Sequence, residues 1–285
     1  MFGSECIPCI FNQALKTYRV IGYSDEVIIE KLWSIMKLVN KLDYKLTAPE
    51  IYFTVYKWIR EDSGLNDPYY KIKKMWNRWV LDKASTIKKM IIESKDPIFT
   101  GLKISLAGNI IDYGALDDIK FEDTLNQVLS SKLTIDDYQV FRNKLDYAKS
   151  ILFVLDNAGE AVLDKIFIES ILNETRISKV YIGVREEPFI NDVTIEDIRY
   201  LGFDELGDIE IISFPVDINK HSTYLNEGRY SQVFRLADTT VLKGQGNYEL
   251  FHNFKDIFFA LIAKCKPVAS HLNVDVGSQV FKFNK

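Results

Sequence analysis

The fold of this chain is decided by the stretch Ile151-Leu152-Phe153-Val154-Leu155-Asp156-Asn157-Ala158-Gly159-Glu160. Its five consecutive apolar residues predict a strand that is buried on both faces. The glycine that follows the polar pair predicts a tight turn into a helix. A buried strand that leads directly into a helix is the repeating unit of open parallel sheets covered by helices on both sides.

The same pattern recurs toward the carboxyl terminus. Short apolar runs, each followed by or set among segments with helical periodicity, occur at Val180–Val184, Ile209–Phe214, Thr239–Leu242 and Ile257–Ala263. This alternation predicts an α/β fold, namely a three-layer α/β/α, Rossmann-like and mostly parallel sheet.

The amino-terminal third has the pattern of helices throughout. Thr47 and Glu50 have the spacing of a capping box, and the apolar residues after them recur at intervals of three and four. We therefore predict an all-helical domain over residues 1–100 and an α/β/α domain over residues 101–285. Within the second domain we expect the segment 104–149 to be mostly helical, with Thr134 to Asp137 capping a helix.

Composition restricts the classes of function. The 285 residues include 36 Lys+Arg and 40 Asp+Glu, a formal net charge of −4, without the basic stripe that binds a phosphate backbone. No apolar run approaches the roughly 18 residues of a membrane span, and the first residues lack the pattern of a signal peptide. We expect a cytoplasmic protein without a nucleic-acid or membrane partner. The sequence carries no indication of its oligomeric state.

The cysteines do not indicate a disulfide framework, because there are only three of them. Cys6 and Cys9 form one Cys-x-x-Cys pair, and the chain has neither a second pair nor histidines at the spacing of a zinc site. We interpret the pair as a packing feature or a thiol-sensitive site.

Ligands of open parallel sheets bind beyond the carboxyl ends of the strands. In the loop after Ile151–Leu155, Asp156 and Asn157 offer the oxygen ligands that Mg²⁺ or Mn²⁺ prefers. Gly159 permits a tight turn, and the helix that begins behind it favours an anion. The alternative is an ordinary Asp-Asn helix cap with a glycine turn.

Two further loops carry candidate residues. Asp192 follows the strand that Arg185 closes, although the loop around Asp192 also fits a capped surface loop. The third loop is Lys243-Gly244-Gln245-Gly246-Asn247, whose glycines and lysine suit an oxyanion or, alternatively, a surface turn. If the three loops leave one edge of the sheet, they supply two carboxylates and an amide for a divalent cation and a lysine for phosphate. That combination favours metal-assisted chemistry on a phosphate ester.

Three segments resemble the signature segments of the metal-dependent damage-control phosphatases, a family formerly listed as a domain of unknown function that also contains the protein-glutamate methyltransferase-like proteins. They are Ala107-Gly108-Asn109-Ile110-Ile111-Asp112, Asp156-Asn157-Ala158-Gly159-Glu160 and Lys243-Gly244-Gln245-Gly246-Asn247-Tyr248-Glu249. Cys6-Ile7-Pro8-Cys9 and Asp67-Pro68-Tyr69 resemble the compact prokaryotic branch of that family.

The resemblance implies an α/β/α domain with a helical amino-terminal bundle, and phosphatase activity that depends on Mg²⁺, Mn²⁺, Co²⁺ or Ni²⁺. It implies that Asp156, Asn157 and Asp192 hold the metal and that Lys243 contacts the phosphate. Asp156 and Lys243 are thus the candidate catalytic residues. The remaining candidates for binding phosphate or substrate are Gly244, Gln245, Gly246, Asn247, Asn109, Asp112, Glu160 and Arg185. For Asn109 and Asp112 the alternative is that they only brace the site from the helical side.

The leading hypothesis is a phosphatase of small metabolites, such as sugar phosphates or phosphopantetheine-like or nucleotide-like compounds, with a role in metabolite damage control. A carboxyl methyltransferase that uses S-adenosylmethionine is an alternative, although Asp156–Glu160 offers only one glycine for a cofactor cradle. A non-catalytic protein that binds phosphometabolites is a third.

Overall fold

The computed structural model describes residues 2–43, 46–109, 118–215 and 228–285. Within these ranges, seven strands form one sheet in the order β1-β7-β6-β5-β2-β3-β4. The strands are β1 (Ile135–Asp136), β2 (Ser150–Val154), β3 (Lys179–Arg185), β4 (Ile209–Phe214), β5 (Thr239–Lys243), β6 (Ile257–Ile262) and β7 (Gln279–Asn284).

Helices account for most of the remaining described chain, and a short 3₁₀ helix spans Phe203–Leu206. The helices are α1 (Cys6–Ile21), α2 (Asp25–Val39), α3 (Ala48–Ser63), α4 (Tyr70–Leu81), α5 (Ala84–Ile92), α6 (Pro97–Gly108), α7 (Asp118–Ser130), α8 (Tyr138–Leu145), α9 (Glu160–Glu174), α10 (Ile195–Tyr200), α11 (Arg229–Leu236), α12 (Gly244–Phe251) and α13 (Lys266–Leu272).

The sheet is mostly parallel, as the sequence predicts. The five strands from β6 to β4 run parallel to one another, whereas β7 is antiparallel to β6 and pairs in parallel with β1. Each of the five predicted apolar runs forms one of the parallel strands, and β4 has the predicted bounds. The α/β class is therefore confirmed.

Alternate residues of the central strands enter two separate cores, because side chains alternate across a strand. Phe153 packs with helices α4, α5, α6, α8 and α9, and its neighbours Leu152 and Val154 pack with α11, α12 and α13. Helices α1 to α3 form a further core of their own around Ile10, Tyr18 and Ile51. Helices α4 to α6 thus share the core of the sheet, and the predicted division near residue 100 stays a prediction.

The helix expected directly after Thr134 to Asp137 is present as α8, with Asp137 at its cap position, and Oδ1 of Asp136 accepts from the Tyr138 N–H at 3.0 Å. The same segment also forms strand β1, which was not predicted. The backbone N–H groups of Thr134 and Asp137 donate to the carbonyls of Gln279 and Phe281, at 2.8 and 2.9 Å. The partner is β7, a strand far away in sequence, so this pairing could not be predicted from the local pattern that marks the helix start.

Helices α3 and α10 each begin with a capping box, the first at the predicted Thr47 and Glu50. Glu50 accepts a bond from the backbone of Thr47 at the start of α3, and Asp197 does the same for Thr194 at the start of α10. No helix in the described part of the chain is long and apolar enough to cross a membrane.

Candidate functional site

Three loops meet at the carboxyl edge of the adjacent strands β5, β2 and β3. Asn157 and Asp192 lie opposite each other in an isolated β-bridge, although they are 35 positions apart in the chain. The Val193 N–H donates to the carbonyl of Asp156 at 2.9 Å, which ties the second loop to the first. The structure therefore brings Asp156, Asn157 and Asp192 together, as expected from loops that leave one sheet edge.

The Asp156 carboxylate is held by two amides. Its Oδ2 accepts from Nδ2 of Asn157 at 2.7 Å and from Nδ2 of Asn109 at 3.1 Å. Gly244 passes so close that a Cβ built there would lie 1.9 Å from Oδ2 of Asp156. Glycine at this position thus provides the space that the carboxylate occupies.

Arg185 connects the second and third loops. Its Nε donates to Oδ2 of Asp192 at 2.6 Å, and its Nη2 donates to Oδ1 of Asn247 at 3.0 Å. Asn247 in turn donates to the carbonyl of Leu155 at 3.1 Å, at the end of β2. The predicted residues Arg185 and Asn247 therefore link the ends of three strands.

The environment of Lys243 differs from the expectation of a phosphate ligand. Its ammonium has 0% exposure and lies 2.9 Å from Oε1 of Glu160 and 2.7 Å from Oδ1 of Asp164. It also donates to the carbonyl of Ser105 at 3.0 Å. Because four oxygen atoms, including Oγ of Ser105, already surround the ammonium, it lies beneath the site and does not line the pocket.

A pocket of about 370 Å³ opens above these loops. Its polar lining residues include Asp156, Asn157, Arg185, Asn191, Asp192, Gln245, Gly246 and Lys264. Its other lining residues include Tyr52, Phe189 and Leu250, together with all three thiols of the chain, Cys6, Cys9 and Cys265. Its size suits a small organic ligand with a charged end.

The glycine-rich segment forms the first turn of α12 rather than an open loop. Gln245 donates to Oε1 of Glu249 at 3.0 Å and accepts from the backbone N–H of Lys264 at 2.8 Å. Gly246 lines the pocket beside it. Of the other predicted residues, Asp112 lies outside the described residues.

The buried charges of this region are unbalanced. The carboxylates of Asp156, Glu160, Asp164 and Asp192 are buried, and the buried cations in contact with them are Lys243 and Arg185. When all are ionised, two negative charges are left over. Burial, together with the nearby charges of Asp192 and Glu160, raises the pKa of Asp156 to about 8.

These donors fit a hard divalent cation. The hydrogen bonds between described residues engage Oδ2 of both Asp156 and Asp192, and both residues line the pocket. Oxygen ligands and a surplus of two negative charges match Mg²⁺ or Mn²⁺. No three His, Cys, Asp or Glu side chains of the described ranges converge on one metal position, so the Asn157 amide is needed to complete the set.

Sequence reasoning missed Ser105 and Asp164, which contact Lys243 directly. The signal was present, because Ser105 and Asn109 are four residues apart on α6, and Glu160 and Asp164 are four apart on α9. Residues at that spacing share one helical face. Lys264, which no sequence motif marks, also lines the pocket.

The fold and the site define an α/β protein with an acidic, oxygen-rich pocket at the carboxyl edge of a parallel sheet. Residues 3–280 match the family described as the damage-control phosphatase ARMT1-like domain. The chain therefore belongs to this family.

Individual relatives align with this chain over nearly their full length. A damage-control phosphatase of Pyrococcus horikoshii is 30% identical, over 99% of this chain and 97% of its own. A damage-control phosphatase of Archaeoglobus fulgidus is 27% identical, over 97% of both chains. The crystal structure of a DUF89 family protein of Pyrococcus horikoshii is 28% identical, with a TM-score of 0.88 over 100% of this chain and 99% of the other.

Proposed function

We propose that the chain is a divalent-metal-dependent phosphatase that hydrolyses phosphate monoesters of small metabolites. The observation that carries the proposal is the meeting of Asp156, Asn157 and Asp192 in a pocket where the buried carboxyl groups outnumber the buried cations in contact with them by two. Relatives that match over nearly the whole chain are named damage-control phosphatases, which supports the same chemistry.

In this proposal, Asp156, Asn157 and Asp192 hold the cation. A bound divalent cation would neutralise phosphoryl oxygens and lower the pKa of a coordinated water. Arg185 keeps the Asp192 carboxylate in place through its 2.6 Å bond, and the bridge between the two loops keeps Asn157 beside it. The chain's own contribution is therefore a fixed set of oxygen ligands.

We assign the phosphate contact to Lys264 and the first turn of α12. Lys264 is exposed and lines the pocket, whereas the Lys243 ammonium is enclosed by its oxygen partners. The amino-terminal turn of a helix also favours an anion through its free N–H groups, and Gln245 and Gly246 in that turn line the same pocket.

The pocket volume admits a compound of the size of a sugar phosphate or of a phosphopantetheine-like or nucleotide-like ester. Removal of damaged phosphometabolites in the cytoplasm is the role we propose for the activity.

The test is hydrolysis of a panel of phosphometabolites and an aryl phosphate, with Mg²⁺, Mn²⁺, Co²⁺ and Ni²⁺ compared. We expect Asp156→Asn to lower kcat/KM roughly a hundredfold or more, as expected when a group that organises transition-state charge is lost. EDTA should abolish turnover, and added Mn²⁺ should restore it.

Asp146→Asn is the matched control, because Asp146 is exposed at the end of α8. Hydrolysis by the Asp156→Asn variant at the control rate would refute the proposal. Tight binding of S-adenosylmethionine without metal in calorimetry would instead support the methyltransferase alternative.

A further inference from the structure

A charged cluster lies buried directly beneath the cation site. The side chains of Lys243, Glu160 and Asp164 each have 0% exposure, and one ammonium serves both carboxylates. Oγ of Ser105 completes the cluster by donating to Oδ1 of Asp164 at 2.6 Å. Removing such charges from water costs several kcal/mol per ion, roughly, and well-packed apolar residues would stabilise the fold at least as well. Stabilisation of the fold therefore does not by itself explain why these charged groups are buried.

Glu160 reaches from this cluster to the site. Its Oε1 faces Lys243, and its Oε2 accepts from Nδ2 of Asn157 and from Nδ2 of Asn109, both at 3.0 Å. The same two amide groups donate their second N–H to Oδ2 of Asp156. Two amides thus bridge two carboxylates, and every N–H of both amides has an acceptor.

This arrangement fixes which way the Asn157 amide faces. Because Nδ2 is engaged by Glu160 and Asp156, Oδ1 must face the opposite direction, where it accepts from Nδ2 of Asn191 at 2.7 Å beside the pocket. A reversed amide would place an oxygen against two carboxylates.

We propose that Lys243 and Glu160 form a positioning pair, in which the Lys243 ammonium anchors the Glu160 carboxylate and this carboxylate turns the oxygen of Asn157 toward the cation. The inference rests on the proposed function, since it assumes that Asn157 binds a metal. Groups that orient a metal ligand in this way typically change metal affinity by 10- to 100-fold, roughly, when they are altered.

Glu160→Gln is the sharpest substitution, because it keeps the shape and removes one acceptor. If the new amide turns its oxygen toward the asparagines, its N–H₂ group meets the Lys243 ammonium. If it turns the other way, its N–H₂ group meets the amide donors of Asn157 and Asn109. Either orientation sets a donor against a donor, so Asn157 loses its fixed direction or Lys243 loses its partner.

The experiment measures Mn²⁺ binding by electron paramagnetic resonance of free Mn²⁺, with the thermal midpoint of the metal-free protein recorded in parallel. We expect Kd to rise about 10- to 100-fold in Glu160→Gln. Glu174→Gln is the control, since Glu174 is exposed at the end of the same helix, and it should bind Mn²⁺ like the wild type.

If Glu160→Gln does not fold, Glu160→Asp takes its place. It keeps the charge for Lys243 but withdraws the carboxylate from the amides, and it should also weaken Mn²⁺ binding. Unchanged affinity in the folded variant overturns the positioning role alone. A wild type that binds no Mn²⁺ and hydrolyses phosphate esters in EDTA overturns the proposed metal dependence, and the inference with it.

Discussion

At the scale of single residues, Gly244 is the position with the least room for change. Its φ of +78° is disfavoured for residues with a side chain, and a Cβ would lie 1.9 Å from Oδ2 of Asp156. The displaced atom belongs to a carboxylate that Asn109 and Asn157 hold in place. Strain at Gly244 is therefore transmitted directly to a proposed metal ligand.

We expect Gly244→Ala to weaken Mn²⁺ binding at least tenfold, because the carboxylate must move, and to lower stability by about 1–3 kcal/mol through overpacking and the positive φ. Calorimetric titration with Mn²⁺ and urea unfolding measure the two effects. Gly246→Ala is the matched control, since the nearest atom to its Cβ would be Nη2 of Arg185 at 4.0 Å. Equal Mn²⁺ affinity in the two variants would contradict the argument.

Residue-level prediction from the sequence succeeded where topology decides position. Asp156 and Asp192 follow neighbouring parallel strands, so their proximity follows from the sheet itself. Lys243 ends a strand at the same edge, yet its long side chain extends toward the buried carboxylates of Glu160 and Asp164. The pattern of a strand predicts where the backbone of a residue lies. It does not predict which groups the end of a long, flexible side chain contacts.

At the scale of elements, α4 fastens the two loops that carry the proposed metal ligands. Asn77 of this helix accepts from the Gly159 N–H at 2.6 Å and donates to Oδ1 of Asp197 at 3.3 Å. Lys73, one turn earlier, pairs with Oδ2 of Asp197 at 2.9 Å and with Asp67 at 2.8 Å. The site thus depends on a helix that contributes no ligand to it.

Asn77→Ala should destabilise the fold by about 1–3 kcal/mol, because it leaves the buried Gly159 N–H without an acceptor. The midpoint of urea unfolding measures this loss. Asn126→Ala, on an exposed position of α7, should change stability by only about 0.5 kcal/mol or less. A similar small effect at Asn77 would show that the bond to Gly159 does not fasten the loop.

Strands with a local sequence pattern could be predicted, whereas strands that depend on pairing with another segment could not. The strands from β2 to β6 contain short, mostly apolar or β-branched runs, and their positions follow from that local pattern. Strand β7 ends in Lys282, Phe283 and Asn284, which are only partly buried. Its antiparallel pairing with β6 is not specified by any local sequence pattern. Strand β1 depends on β7 and was missed for the same reason.

At the scale of the whole molecule, the surplus of buried negative charge predicts that a divalent cation stabilises the fold. Ligand present at 100 times its Kd adds about 2.7 kcal/mol, which corresponds to a rise of several degrees in Tm for a chain of this size. We therefore expect Mn²⁺ to raise Tm and EDTA to reverse the rise, as measured by scanning calorimetry. Asp192→Asn should abolish most of the Mn²⁺ effect, and Na⁺ at equal ionic strength should not reproduce it.

The contact between Lys243 and Ser105 joins residues that are 138 positions apart. During synthesis on the ribosome, an emerging chain that stops before β5 lacks the ammonium that neutralises Glu160 and Asp164, even if every proposed ligand has already been made. If the chain binds the proposed cation, we expect its uptake to be a late event in biogenesis, and manganese capture by nascent chains of increasing length would report when the segment from β5 onward has joined the rest.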